Sequence, residues 1–108
     1  MRGNIAQLMQ QAQRMQEQMK RAQEELATVE VQGQSGGGMV KVTLTGKMDC
    51  RAVRIDPSVL ADAEMLEDLV AAAFNDARAK ADQAANAEMQ KVQQGMGLPP
   101  GFNFPGLG

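Results

Sequence analysis

The chain has 108 residues, 22% of them charged and 44% hydrophobic, and a formal net charge of −2, which places it with ordinary soluble domains of one core. One cysteine and no histidine leave no internal disulfide, almost no means of holding zinc, and no Ser-His or Cys-His nucleophile, so enzyme, metal and redox readings start at a disadvantage. No cleavable leader pattern and no apolar run of about 18 residues is found, so the expected setting is the cytoplasm, away from membranes.

Ile5 to Leu26 contains no Gly or Pro and is dominated by good helix formers, which predicts a first helix. Ile5, Leu8, Ala12, Met15, Met19, Ala22 and Leu26 alternate in steps of three and four, forming a seam that must face another helix, a sheet or a second subunit. Only three phenylalanines are available, two in the last seven residues, so a protomer has little bulk to bury. A core shared between subunits is the expectation, with Ile5, Leu8, Met15, Met19, Val40 and Val42 as candidate dimer-interface residues.

After Thr28 the period changes to two. Val29 and Val31 predict a short strand ending at Gly33, and the clearest strand runs from Met39 to Thr45 with Val40, Val42 and Leu44 on one face. The intervening Gly36-Gly37-Gly38 reads as a hairpin loop; it lacks the GK[ST] continuation of a phosphate-binding loop. A turn over Gly46 to Asp49 leads to a third strand, Ala52 to Ile55, with Val53 and Ile55 expected to point inward. Asp56-Pro57 ends it, and Asp62 is placed to cap a second long helix reaching about Gln94. Leu66, Leu69, Val70, Ala73, Phe74 and Ala77 are its expected apolar face. Paired acids such as Glu67 and Asp68, or Asp76 and Asp82, read as solvated helix charge. A Gly/Pro-rich ending breaks regularity from Gly95. The expected architecture is α+β: two long helices flanking a three-stranded antiparallel meander (α-β-β-β-α), with one domain over 1–94 and an irregular tail over 95–108.

Charge is divided along the chain. Residues 1–54 hold eight basic and five acidic side chains, a balance of +3, whereas 55–108 hold three basic and eight acidic, a balance of −5. Arg2, Arg14, Lys20 and Arg21 on the first helix, and Lys41, Lys47, Arg51 and Arg54 on the second and third strands, are the candidate DNA-binding residues. Screening acts over about 8–10 Å, so an acidic far side does not prevent local phosphate contact. The bland alternative is a solvated helix face and a polar outer sheet face. No aromatic residue interleaves with these cations, which disfavours single-strand stacking and favours the duplex backbone.

LMQQAQRMQEQM (Leu8 to Met19), VRIDPSVL continuing to EMLEDLVAAAFNDA (Val53 to Ala77) and GLPPGF (Gly97 to Phe102) together resemble the YbaB/EbfC family of bacterial nucleoid-associated proteins over nearly the whole chain. The resemblance implies an intertwined homodimer with protruding helices and duplex DNA binding with little sequence preference. It also implies DNA contact through the basic residues of the first helix, a genomic association with recombination and repair, and no enzymatic activity, cofactor or small-molecule substrate. The competing expectation, supported by the acidic pI and the Met-rich seam, is a helical protein-interaction module with little or no DNA affinity.

Overall fold

The computed structural model describes residues 2–95, with side chains from Asn4 onward. The elements are α1 (Arg2–Thr28), β1 (Glu30–Ser35), a 3-10 turn (Gly36–Gly38), β2 (Val40–Thr45), β3 (Cys50–Ile55), a second 3-10 turn (Pro57–Val59) and α2 (Ala63–Gly95). This is the two-helix, three-strand architecture the sequence predicts. The predicted tail lies outside the described residues.

The strands form one antiparallel sheet in the order β1-β2-β3. Its first turn runs through Gly36, Gly37 and Gly38, all at positive φ (60°, 68° and 98°), a backbone path that costs glycine little. The second is organised by Thr45, whose hydroxyl oxygen accepts the backbone N–H of Lys47 (3.2 Å) and of Asp49 (3.1 Å). Thr45 is thereby wholly buried, although strict alternation would put it on the wet face. Arg51 is the extra residue of a bulge, because Thr43 pairs with Ala52 while Leu44 pairs with Cys50.

The N-terminal part of α2 lies over β1 and β2, packing Ala73 and Ala77 against Val40, Val42 and Leu44. Asp62 starts the helix as its sequence position predicts, accepting the Met65 N–H at 3.1 Å. Its crossing over β1 depends on Gly33: a Cβ there would lie 2.7 Å from the Ala77 Cα and closer still to backbone atoms of Ala73 and Ala77. β1 therefore continues through Gly33 to Ser35, beyond its expected end. The outer edge of β1 is also covered. Asp76 Oδ2 accepts the Gln34 N–H (3.0 Å), Lys80 Nζ donates to the Gln32 carbonyl (2.9 Å), and Ser35 Oγ donates to the Leu69 carbonyl (2.6 Å). Such contacts close an edge that would otherwise accept a foreign strand.

β3 is not covered. A helix about 10 Å across spans two strands spaced about 4.8 Å apart, and α2 spends that width on β1 and β2. Val53 and Ile55, which face the same side as their partners Val42 and Val40, remain 48% and 36% exposed. They point to the core side as expected, but no helix among the described residues covers them there. Phe74 is likewise 41% exposed, because Ala73 and Ala77, flanked by Leu66, Leu69 and Val70, meet the sheet and Phe74 falls beside that row.

Past the sheet, α2 packs on α1. Ala22, Leu26 and Val92 are buried there, Glu88 is nearly so and pairs with Lys91 at 3.2 Å, and the end of α2 at Gly95 sits beside Gln18. The molecule is drawn out to 72 × 22 × 18 Å.

Candidate nucleic-acid interface

Two groups of cations occupy different parts of this frame. On α1, Arg14 and Arg21 are seven residues apart and so lie on one side of the helix, about 10 Å apart along its axis, with Lys20 on the opposite flank. All three are exposed. Glu17 lies between them, and Glu24 and Glu25 follow toward the sheet, so positive character is strongest on the part of the helix away from the strands. The side chain of Arg2 lies outside those described.

The second group is set by strand register. Val40, Val42 and Leu44 turn to α2, so Lys41 turns to the opposite face, where Arg54 is its direct cross-strand partner. Arg51 protrudes at the bulge and Lys47 at the tip of the adjoining turn. Like charges held opposite one another repel. The ion pairs found among the described residues, Lys80–Asp76 at 3.1 Å and Lys91–Glu88 at 3.2 Å, both lie on α2. None of Arg14, Lys20, Arg21, Lys41, Lys47, Arg51 and Arg54 is tied to a carboxylate among the described residues.

Of the acids expected to be solvated helix charge, Glu67, Asp68 and Asp82 are exposed, whereas Asp76 is used to fasten α2 to β1. Asp76 is held below the usual carboxylate range first by the Gln34 backbone N–H and then by Lys80. Asp56 is lowered by the Ser58 backbone N–H and its hydroxyl, in the turn leading to α2. These are structural uses of charge. Among the described residues no three His, Cys, Asp or Glu side chains gather to hold a metal, and Cys50 is a free, exposed thiol.

The candidate interface residues divide into three sets. Val40 and Val42 are 0% and 1% exposed in the protomer's own core, which leaves them no surface to lend a partner. Met15 and Met19 are half-buried along α1, and Ile5 and Leu8 are 60% and 63% exposed. Part of the apolar face expected on α2 is left open: Leu66, Val70 and Phe74, with Ala71, line a groove rimmed by Glu67 and Asn75, on the side of the helix away from the Asp76 contact to β1. The sequence signal for its being open is the alanine row Ala73, Ala77, Ala81, which marks the packed side of the helix and so leaves Phe74 off it.

Comparison with known proteins supplies the family. Residues 1–96 match the model of the YbaB/EbfC DNA-binding family. The chain belongs to that family. A nucleoid-associated protein of Xanthomonas campestris pv. campestris is 65% identical over 105 residues, which are 97% of this chain and 99% of the relative. A protein of the same name from Xylella fastidiosa is 64% identical, over 97% of this chain and 98% of its own length. The fold is shared with the crystal structure of an uncharacterized protein from Helicobacter pylori, at a TM-score of 0.66 and 24% identity, covering 84% of this chain and 94% of that one.

Proposed function

We propose that this chain is a nucleoid-associated protein that binds duplex DNA as a homodimer, through its phosphates and with little sequence preference. The observation that carries this reading is the registered pair Lys41 and Arg54, two cations directly opposed on a sheet face with no carboxylate bonded to either among the described residues. An anionic ligand relieves that repulsion, and a polyanion does so along the whole row with Lys47, Arg51 and the α1 cations. Membership of a DNA-binding family supports DNA as that polyanion. The absence of aromatic side chains from both basic surfaces favours backbone contact over base stacking, and neither surface offers a recognition helix of the kind that reads bases in the major groove. The names of the close relatives support the nucleoid as the place of action, hence the cytoplasm. The proposal includes a part in chromosome organisation, with effects on gene expression or recombination and repair, and a role that is not enzymatic.

The uncovered face supports the homodimer. Val53 and Ile55 of β3 are exposed on the sheet face that carries α2, Leu66, Val70 and Phe74 line an open groove on α2, and β3 is an edge strand of the sheet. A second copy covers both and doubles the basic surface.

The test is a mobility-shift titration on random-sequence duplex at several salt concentrations, with a single-stranded competitor. Binding that weakens steeply with salt, and that duplex competes away better than single strands, is the expected result. No shift at low salt would leave the protein-interaction module as the better reading.

A further inference from the structure

We propose that the open side of α2 recognises the same side of α2 in a second copy, antiparallel and about a two-fold axis, with Glu67 of each chain paired to the partner's Arg78. This rests on the homodimer reading above and adds to it the element that pairs, its direction and the contacts that fix its register.

Glu67, Ala71, Phe74 and Arg78 follow one another at spacings of four, three and four residues, so they form one stripe along about 16 Å of the helix. All four are exposed. The stripe lies on the flank of α2 opposite the bonds that tie it to β1. Asp76, whose carboxylate is held by Gln34, is two residues from both Phe74 and Arg78 and so about 200° round the helix from each. Between the two flanks, Ala73 and Ala77 take the sheet. Ala71 and Phe74 line the open groove, with Leu66 and Val70 on its sheet side.

The charges at the two ends of the stripe are unspent. α2 carries three cations; Lys80 and Lys91 are bonded to Asp76 and Glu88, whereas the side chain of Arg78 has no ion pair or hydrogen bond among the described residues, although Asp82 stands one turn away. The carboxylate of Glu67 is likewise without a partner among the described residues. Arg78 belongs to neither basic surface, because Lys41 and Arg54 face away from α2. Glu64 and Asp82 lie about 50° further from the sheet, so the stripe itself carries one acid at one end and one cation at the other.

Such a stripe is its own complement. Turning a second copy about an axis midway between Ala71 and Phe74 sets Glu67 opposite the partner's Arg78 twice over. It also sets each Phe74 ring opposite the partner's Ala71, whose small side chain leaves room for it. A parallel arrangement would instead oppose acid to acid and cation to cation, so charge selects the antiparallel one. A foreign helix would have to present the same residue types in reverse order, which a second copy does by symmetry.

Charge exchange in the full-length protein tests the pairing. Glu67→Arg and Arg78→Glu should each weaken self-association by about tenfold or more, since every dimer of either variant holds two like-charged contacts. Mixed in equal amounts, the two variants should select each other, because both contacts across the axis then join an acid to a cation. Native mass spectrometry should find the heterodimer well above the half that random assortment gives. The double variant Glu67→Arg/Arg78→Glu should recover the wild-type dissociation constant to within about threefold, and circular dichroism should show unchanged helix in all three, as both positions are exposed. Single variants that associate as tightly as the wild type, or that weaken without selecting each other in the mixture, would overturn the pairing and leave the homodimer reading intact. A wild-type chain that stays monomeric at micromolar concentration would overturn both.

Discussion

Gly33 of β1 lies directly beneath Ala77 of α2, so close that a Cβ on Gly33 would be 2.7 Å from the Ala77 Cα. Backbone opposes backbone here, and neither can step aside as a flexible side chain would. Gly33→Ala must lift α2 off the sheet, opening the contact that buries Val40, Val42 and Leu44. The expected loss is about 3 kcal/mol or more, at the upper end for an overpacked core, read as a lower urea midpoint. A loss under about 1 kcal/mol would mean that the helix crosses β1 with more clearance than described.

Asp76 fastens the same crossing from the side. Folding lowers its carboxyl pKa from the ordinary value of 3.8, chiefly through the Gln34 N–H and secondarily through Lys80. A depressed carboxyl stabilises the fold fully above its unfolded value and ceases to do so as pH falls through the lower folded value. Stability should therefore decline as the solution is acidified below about 3.8, and Asp76→Asn should flatten that part of the profile. A carboxyl titration followed by NMR should show a midpoint for Asp76 below 3.8; a midpoint at or above it would remove the bond to Gln34 from the account.

The two basic surfaces can be separated by charge reversal. Each phosphate contact that is lost reduces the slope of log affinity against log salt by about 1. Lys41→Glu/Arg54→Glu should lower that slope by about 2, and Arg14→Glu/Lys20→Glu/Arg21→Glu by up to about 3. Neither set is buried in the core, so thermal unfolding should stay near that of the wild type. If one set leaves both affinity and slope unaltered, DNA does not touch that surface.

The local features of this fold were readable because local chemistry determines them. The Gly- and Pro-free run gave α1 to within a few residues at each end, Asp62 gave the start of α2, and the alternation of Val40, Val42 and Leu44 gave β2 and its buried face. Gly33 misled, since a glycine usually weakens a strand, whereas here its missing side chain is what α2 requires. The amphipathic pattern gives the side to which Val53, Ile55 and Phe74 belong but not whether it is covered, since where one helix lies across three strands is a tertiary choice. For the candidate site, the division of charge between the two halves was legible. The opposition of Lys41 and Arg54 was not, because it depends on the turn and bulge that set the β2–β3 register.

That tertiary choice also fixes where a second subunit must bind if the protein is a dimer. Phe74 is 41% exposed and Val53 48% exposed in the protomer, so replacing either with Asp should leave the single chain folded. In a dimer closed over this face, the same changes put a carboxylate into an apolar contact with nothing to pair it. Phe74→Asp and Val53→Asp should each shift the sedimentation-equilibrium mass from twice the 11.6 kDa chain toward 11.6 kDa, with helical content retained. DNA affinity should weaken in parallel although no cation has been removed, because one duplex would then meet one set of basic residues instead of two. A variant that remains dimeric would move the interface away from β3 and α2. A monomeric variant with undiminished DNA affinity would instead show that one protomer carries the whole binding surface.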